Sequence, residues 1–151
     1  NLSGHSLEQY TIHAGRSIPN IWSIGGFSLS ENTAYACEPF VTTEQGGGFV
    51  RNGKIKNIFA INSRKKTKNE EADKLLNFIW ENFNMLPFAL RWITKEWEEK
   101  KARELLDILI KKKAVQAYPV LIEVNEQRVA QAEHTFIPTE SGVTVTTKAL
   151  A

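Results

Sequence analysis

Hydrophobic spacing in this 151-residue chain switches from strand-like to helix-like and back again, which limits the folds open to it. Ser17-Ile18-Pro19-Asn20-Ile21 is an extended segment set by its X-Pro bond, and Gly25-Gly26 punctuates the next connection. Thr33–Thr43 is rich in aromatic and β-branched residues, as strands are. Gln45-Gly46-Gly47-Gly48 then breaks the pattern. It lacks the Lys-Ser/Thr and helix start of a phosphate loop, so it reads as a turn.

From Glu70 to Met85 the spacing predicts a helix, with Leu75, Leu76, Ile79 and Phe83 stacked three and four residues apart. Pro87 interrupts it and opens a short second helix through Trp92. Thr94 is the expected N-cap of a third helix that buries Ala102, Leu105, Leu106, Leu109 and Ile110. Lys111–Lys113 would sit at its negative end. Strands resume at Tyr118–Val124, Val129–Ile137 and Val143–Thr147, with Ser141-Gly142 in a turn. The fold class is α+β with an inserted helical subdomain.

Composition fits one ordinary globular core: 42% hydrophobic and 24% charged residues, with 5 Pro and 9 Gly. A chain of this length buries roughly 70% of its unfolded surface. No run approaches the ~20 apolar residues of a spanning helix, so no membrane partner is expected. A single cysteine, Cys37, forms no internal disulfide, which makes the cytoplasm the expected compartment. The first residue is Asn1, and the chain reads as a piece of a longer polypeptide or one half of a split one.

Charge is uneven. Residues 1–57 hold 4 basic and 4 acidic side chains, residues 58–118 hold 13 and 9, and residues 119–151 hold 2 and 4. The surplus centres on Arg64-Lys65-Lys66-Thr67-Lys68 and Lys111-Lys112-Lys113. Such loops can meet RNA phosphates, but an excess this mild fits a solvated surface better.

The three histidines, His5, His13 and His134, lack the i, i+4 spacing of a helical zinc motif. Taken singly, each reads as a structural histidine. Two glutamates carry more information. In Tyr35-Ala36-Cys37-Glu38-Pro39-Phe40, strand alternation places Ala36, Glu38 and Phe40 on one face. In Val129-Ala130-Gln131-Ala132-Glu133-His134-Thr135, Glu133 is embedded in the same way. A carboxylate among apolar neighbours carries a desolvation cost that backbone donors, an arginine or a metal can offset. A metal would explain both glutamates at once, and an oxygen-rich site with one imidazole suits Mn, Fe, Co or Zn.

Several blocks together resemble the type II methionine aminopeptidases, most closely the archaeal form. They are Gly4-His5-Ser6-Leu7-Glu8-Gln9-Tyr10-Thr11-Ile12-His13-Ala14-Gly15 with Ser17-Ile18-Pro19-Asn20, then Ala36-Cys37-Glu38-Pro39-Phe40, and Ala130-Gln131-Ala132-Glu133-His134-Thr135. Leu86-Pro87-Phe88-Ala89-Leu90-Arg91-Trp92 and Tyr118-Pro119-Val120-Leu121 extend the likeness over essentially the whole chain.

The resemblance implies the second half of a pita-bread (creatinase/aminopeptidase) fold. Residues 1–57 would be the first part of the catalytic domain, 58–118 the helical type II insertion and 119–151 the final strands. It implies a metallopeptidase that removes the initiator methionine of nascent proteins with two divalent metal ions, Co, Mn, Fe or Zn. By resemblance His5, Glu38 and Glu133 are metal ligands, and Glu38 also handles the proton of the attacking water. His13 contacts the scissile amide without binding metal, and Ile12, Phe40, Pro87 and Tyr118 fall where the family lines its methionine pocket. Pro87 replaces what is usually another small residue, and His134 has no direct metal role in the family.

The family's two aspartate ligands and a further active-site histidine have no counterpart here. The expectation is therefore a chain inactive alone, completed by a partner N-terminal half that carries the aspartates. Beyond that half, the expected partners are the nascent peptide and, as a weaker expectation, the ribosome. A catalytically silent pita-bread protein binding RNA or ribosomes is the alternative, and a prolidase-type peptidase a third reading. The first is disfavoured because the expected ligands of this half are all present, the second by the helical insertion and the Tyr118-Pro119 segment.

Overall fold

The computed structural model describes residues 1–148 and divides them into two compact units. Residues 1–51 and the chain from 121 onward form the first; residues 52–120 form the second.

The first unit is built on a five-stranded antiparallel sheet. Its strands are β1 (Ser3–Leu7), β2 (Ser17–Pro19), β3 (Ala34–Cys37), β9 (His134–Thr139) and β10 (Gly142–Val145), in the order β10-β9-β3-β1-β2. A separate two-stranded ladder joins β4 (Phe40–Thr42) to β8 (Val129–Gln131). The strand expected over Val129–Ile137 is therefore split, with Ala132 and Glu133 in the gap. Tyr35 and Ala36 on β3 are buried, and Phe136 stacks on Tyr35 with ring centroids 5.7 Å apart. Aromatic and small side chains alternate there as a covered strand requires.

The glycine run is a turn, as its composition predicts. What it wraps around was not legible. Glu123 is only 4% exposed, and its Oε1 accepts the N–H groups of Gly47 and Gly48. Its Oε2 accepts those of Asn125 and Gln127. A Cβ on Gly47 would come 2.3 Å from Val124 Cγ2, so with any other residue Val124 would have to move for the turn to close onto the carboxylate. Burial pushes this carboxyl up, but the four donors together outweigh it and hold the group below its ordinary value of 4.5.

The second unit contains α1 (Glu70–Phe83), α2 (Leu90–Ile93) and α3 (Glu99–Lys111). It also holds β6 (Phe88–Ala89) and most of β5 (Val50–Ile61) and β7 (Val115–Glu123), in the order β6-β5-β7. β5 escaped the sequence reading because Arg51-Asn52-Gly53-Lys54 gives it no apolar alternation at its start. The apolar stripe of α1 (Ala72, Leu75, Leu76, Ile79) and that of α3 (Ala102, Leu105, Leu106, Leu109) are both buried in one cluster with Phe59, Phe88 and Ile93. Each of the leucine and isoleucine side chains among them contributes about 1.5–3 kcal/mol on burial, and the alanines less.

Asn69 caps α1, its side chain accepting the Ala72 N–H at 3.0 Å. Thr94 does not cap α3. It closes α2, donating its hydroxyl to Arg91 O at 3.2 Å, and α3 starts five residues later. Glu98 is the cap, accepting the Lys100 and Lys101 N–H groups through its two carboxylate oxygens. A carboxylate suits the positive end of the helix. Glutamate, with its longer side chain, is not among the short residues that usually cap helices.

Candidate metal centre

The centre begins with a close approach of two strands. β1 pairs antiparallel with β3, His5 opposite Ala36. A Cβ on Gly4 would stand 2.2 Å from Ala36 O and 3.3 Å from the Glu38 N. The glycine before the histidine is thus what allows β3 to run past β1. His5 is buried, and its Nε2 lies 3.0 Å from Glu38 Oε1.

β3 in turn pairs with β9 as Tyr35–Phe136, Ala36–Thr135 and Cys37–His134. One step further along this register brings Glu38 opposite Glu133. The next step is held by the Ala132 N–H donating to Pro39 O at 3.3 Å, and pairing then resumes as Phe40–Gln131. Register is therefore continuous through the gap, and the ladder opens where the two carboxylates face each other. Cross-strand partners share a face of the sheet and alternate residues return to it. His5, Glu38 and Glu133 accordingly belong to one face, and Cys37 and His134 to the other.

Charge agrees with this placement. Burial holds the Glu38 carboxyl above its ordinary value of 4.5, and the Glu133 charge pushes it further the same way. His5 opposes both, through its charge and a side-chain hydrogen bond. Two carboxylates that face each other resist ionising together. A cation between them would relieve that cost. One imidazole and two carboxylates form a donor set suited to a divalent ion of borderline hardness. Among the described residues, no three His, Cys, Asp or Glu side chains by themselves form a cluster arranged to hold a metal. His5 and Glu38 converge, whereas Glu133 is exposed and has Gln131 Nε2 at 3.4 Å from its Oε2.

His13 joins this group from the β1–β2 connection. That loop is folded by the Ala14 N–H to Ser6 O and Ser6 N–H to Arg16 O bonds, both 2.9 Å. The His13 ring meets His5 edge-on, with centroids 4.1 Å apart. Partial burial, then the neighbouring His5, hold the His13 imidazole below its ordinary value of 6.5. A neutral ring beside His5 can still donate one N–H.

Other expected residues are more dispersed. Ile12 is half-buried beside His13. Phe40 lines an apolar cavity of about 420 Å³ with Pro19, Ile21, Phe49 and Val50, and Ile12 is not among its walls. Pro87 and Tyr118 belong to the second unit, where both are half-buried and Tyr118 Oη accepts from Gln116 Nε2 at 2.6 Å. His134 bonds to Thr147, a residue that no local pattern singled out.

No family model matches the chain. It is 39% identical over 148 residues to the methionine aminopeptidase of Methanocaldococcus jannaschii, covering 98% of this chain and 49% of that protein. The methionine aminopeptidase of Saccharolobus solfataricus is 39% identical over 153 residues, covering 99% of this chain and 50% of the relative. The chain thus spans about half the length of the curated relatives it matches. Among solved structures, a thermophilic Arx1 superposes with a TM-score of 0.77 at 17% identity, over 95% of this chain and 38% of the other. This likeness is one of fold alone, and it places the chain in the pita-bread architecture.

Proposed function

We propose, for a chain that belongs to the methionine aminopeptidase family and matches its relatives over half their length, that it supplies one half of a metal-dependent peptidase site removing N-terminal methionine. His5, Glu38 and Glu133 would hold divalent metal ions on the sheet face they share. Further carboxylates would come from a segment equivalent to the rest of the relatives' length, joined to this chain or separate from it.

When bound, the metal pair supplies an acidified water at neutral pH. Glu38, beside that position, takes up a proton and returns it to the leaving amine. His13 donates an N–H toward the substrate carbonyl oxygen, where negative charge develops. Ile12 and Phe40 offer apolar surface to a thioether side chain, a selectivity worth a few kcal/mol at most.

What supports this reading is the register that runs through β3–β9 and β4–β8 and sets Glu38 opposite Glu133, with Glu38 already against His5. Its test is methionine release from a Met-Ala-Ser peptide, with Co(II) or Mn(II), by the 151-residue chain alone and after assembly with the other half. Release by the assembly, abolished by chelation and by Glu38→Gln, is expected, with none from the chain alone. Robust release by the chain alone would overturn the shared site. Cleavage of Xaa-Pro peptides but not Met-Ala-Ser would overturn the specificity.

A further inference from the structure

His134 adjoins a candidate ligand yet faces away from it, and its surroundings show what it does there. The pairing of β9 with β10 runs from Thr139–Gly142 to Phe136–Val145. Beyond the last paired residue, Thr146 continues the register: its N–H donates to Thr135 O at 2.9 Å, and its hydroxyl donates to the same oxygen at 3.2 Å. At the next position a side chain takes over. The Thr147 Oγ1 accepts the Thr135 N–H at 2.9 Å and lies 3.0 Å from His134 Nδ1. A hydroxyl that accepts from Thr135 still has its own proton to place, and Nδ1 is the acceptor in reach.

We propose that Thr147 and His134 are positioning residues: their hydroxyl–imidazole clasp fixes the start of β9 and so holds Glu133 opposite Glu38. Glu133 needs such a support because the ladder is open on its other side. Across the gap, among the described residues, the Ala132 N–H bonds Pro39 O and Pro39 has no N–H to return a second bond, whereas on the far edge Thr135 is tied through both its N–H and its C=O. The hydroxyl donates to Nδ1, which leaves the ring proton on Nε2. The clasp therefore works from behind the carboxylate face and leaves His5 and Glu38 untouched. That Glu133 is a metal ligand rests on the function proposed above; the clasp and the register it sets do not.

Nuclear magnetic resonance of the 151-residue chain tests the clasp directly. The expected wild-type signature is the Nε2–H tautomer of His134, a slowly exchanging Thr135 amide, and cross-strand contacts between Glu38 and Glu133. Thr147→Val keeps the shape and removes the hydroxyl. It should speed Thr135 exchange about fivefold, the loss of one ordinary hydrogen bond, and weaken the Glu38–Glu133 contacts. Thr147→Ser should restore both. In the assembled enzyme, Thr147→Val should lower kcat several-fold with KM unchanged, and serine should rescue it. An Nδ1–H tautomer, or a valine variant with wild-type exchange and contacts, would overturn the clasp. Altered contacts with unchanged kcat would overturn its role in positioning Glu133. Loss of methionine release by the wild-type assembly would count against the peptidase reading alone.

Discussion

Glu38 and Glu133 stand far apart in the chain yet occupy one cross-strand position, at the point where the ladder between β3–β4 and β8–β9 opens. Placing two acidic groups there is unfavourable for the metal-free protein. Glu38 already has His5 Nε2 at 3.0 Å, and its carboxyl is still held above the ordinary range.

Removing one charge should therefore relax the other. In metal-free Glu133→Gln, the Glu38 carboxyl should titrate closer to its ordinary value of 4.5 than in the wild type. Because a raised carboxyl binds its proton more tightly in the folded state, this group supports stability below that value and withdraws support as pH rises through its folded pKa. The substitution should accordingly narrow the difference in stability between pH 4 and pH 7. Carbon-13 titration of Glu38, with denaturant melts at both pH values, would check it; an unmoved Glu38 titration would contradict the placement of Glu133.

Gly4 should tolerate no side chain. Gly4→Ala sets a methyl 2.2 Å from Ala36 O, so β1 and β3 must separate. The expected cost is about 1–3 kcal/mol, typical of overpacking, seen as a lower denaturation midpoint. A variant as stable as the wild type would show that the strands do not approach this closely.

Glu123 provides an acid-sensitive fastening for the first unit. Its carboxyl is depressed, so its contribution is present above the ordinary value of 4.5 and is lost as pH falls through the lower folded value. Glu123→Gln presents an amide to four N–H donors and should lower Tm at pH 7. The gap from wild type should close as both are acidified below 4.5 and through the lower folded value. Parallel thermal melts across that range would reveal it, and a constant gap would argue against ionisation as the cause.

The two candidate caps of α3 should separate cleanly. Glu98→Ala removes both acceptors for Lys100 and Lys101 and should destabilise the second unit by about 1 kcal/mol. Thr94→Ala loses a single exposed bond to Arg91 O and should cost less than about 0.5 kcal/mol. Equal effects in urea melts would show that the helix does not begin where Glu98 caps it.

Much of this molecule was already visible in its residues. Apolar spacing placed α1 and the buried stripe of α3, because a helix repeats over a few residues and its signal is local. Glu38 and Glu133 stood out as carboxylates embedded in strands, whereas His5 and His13, which singly read as structural histidines, gained their roles only through the family resemblance. What no local pattern could supply was who meets whom. The split between β8 and β9, the shared face of His5 and the two glutamates, the four N–H donors around Glu123 and the Thr147–His134 bond all depend on pairing between segments remote in the chain. Register follows from the packing of whole strands, and a slip of one residue would turn either glutamate to the opposite face. The residues named the participants; only the tertiary pairing decided that they would face one another.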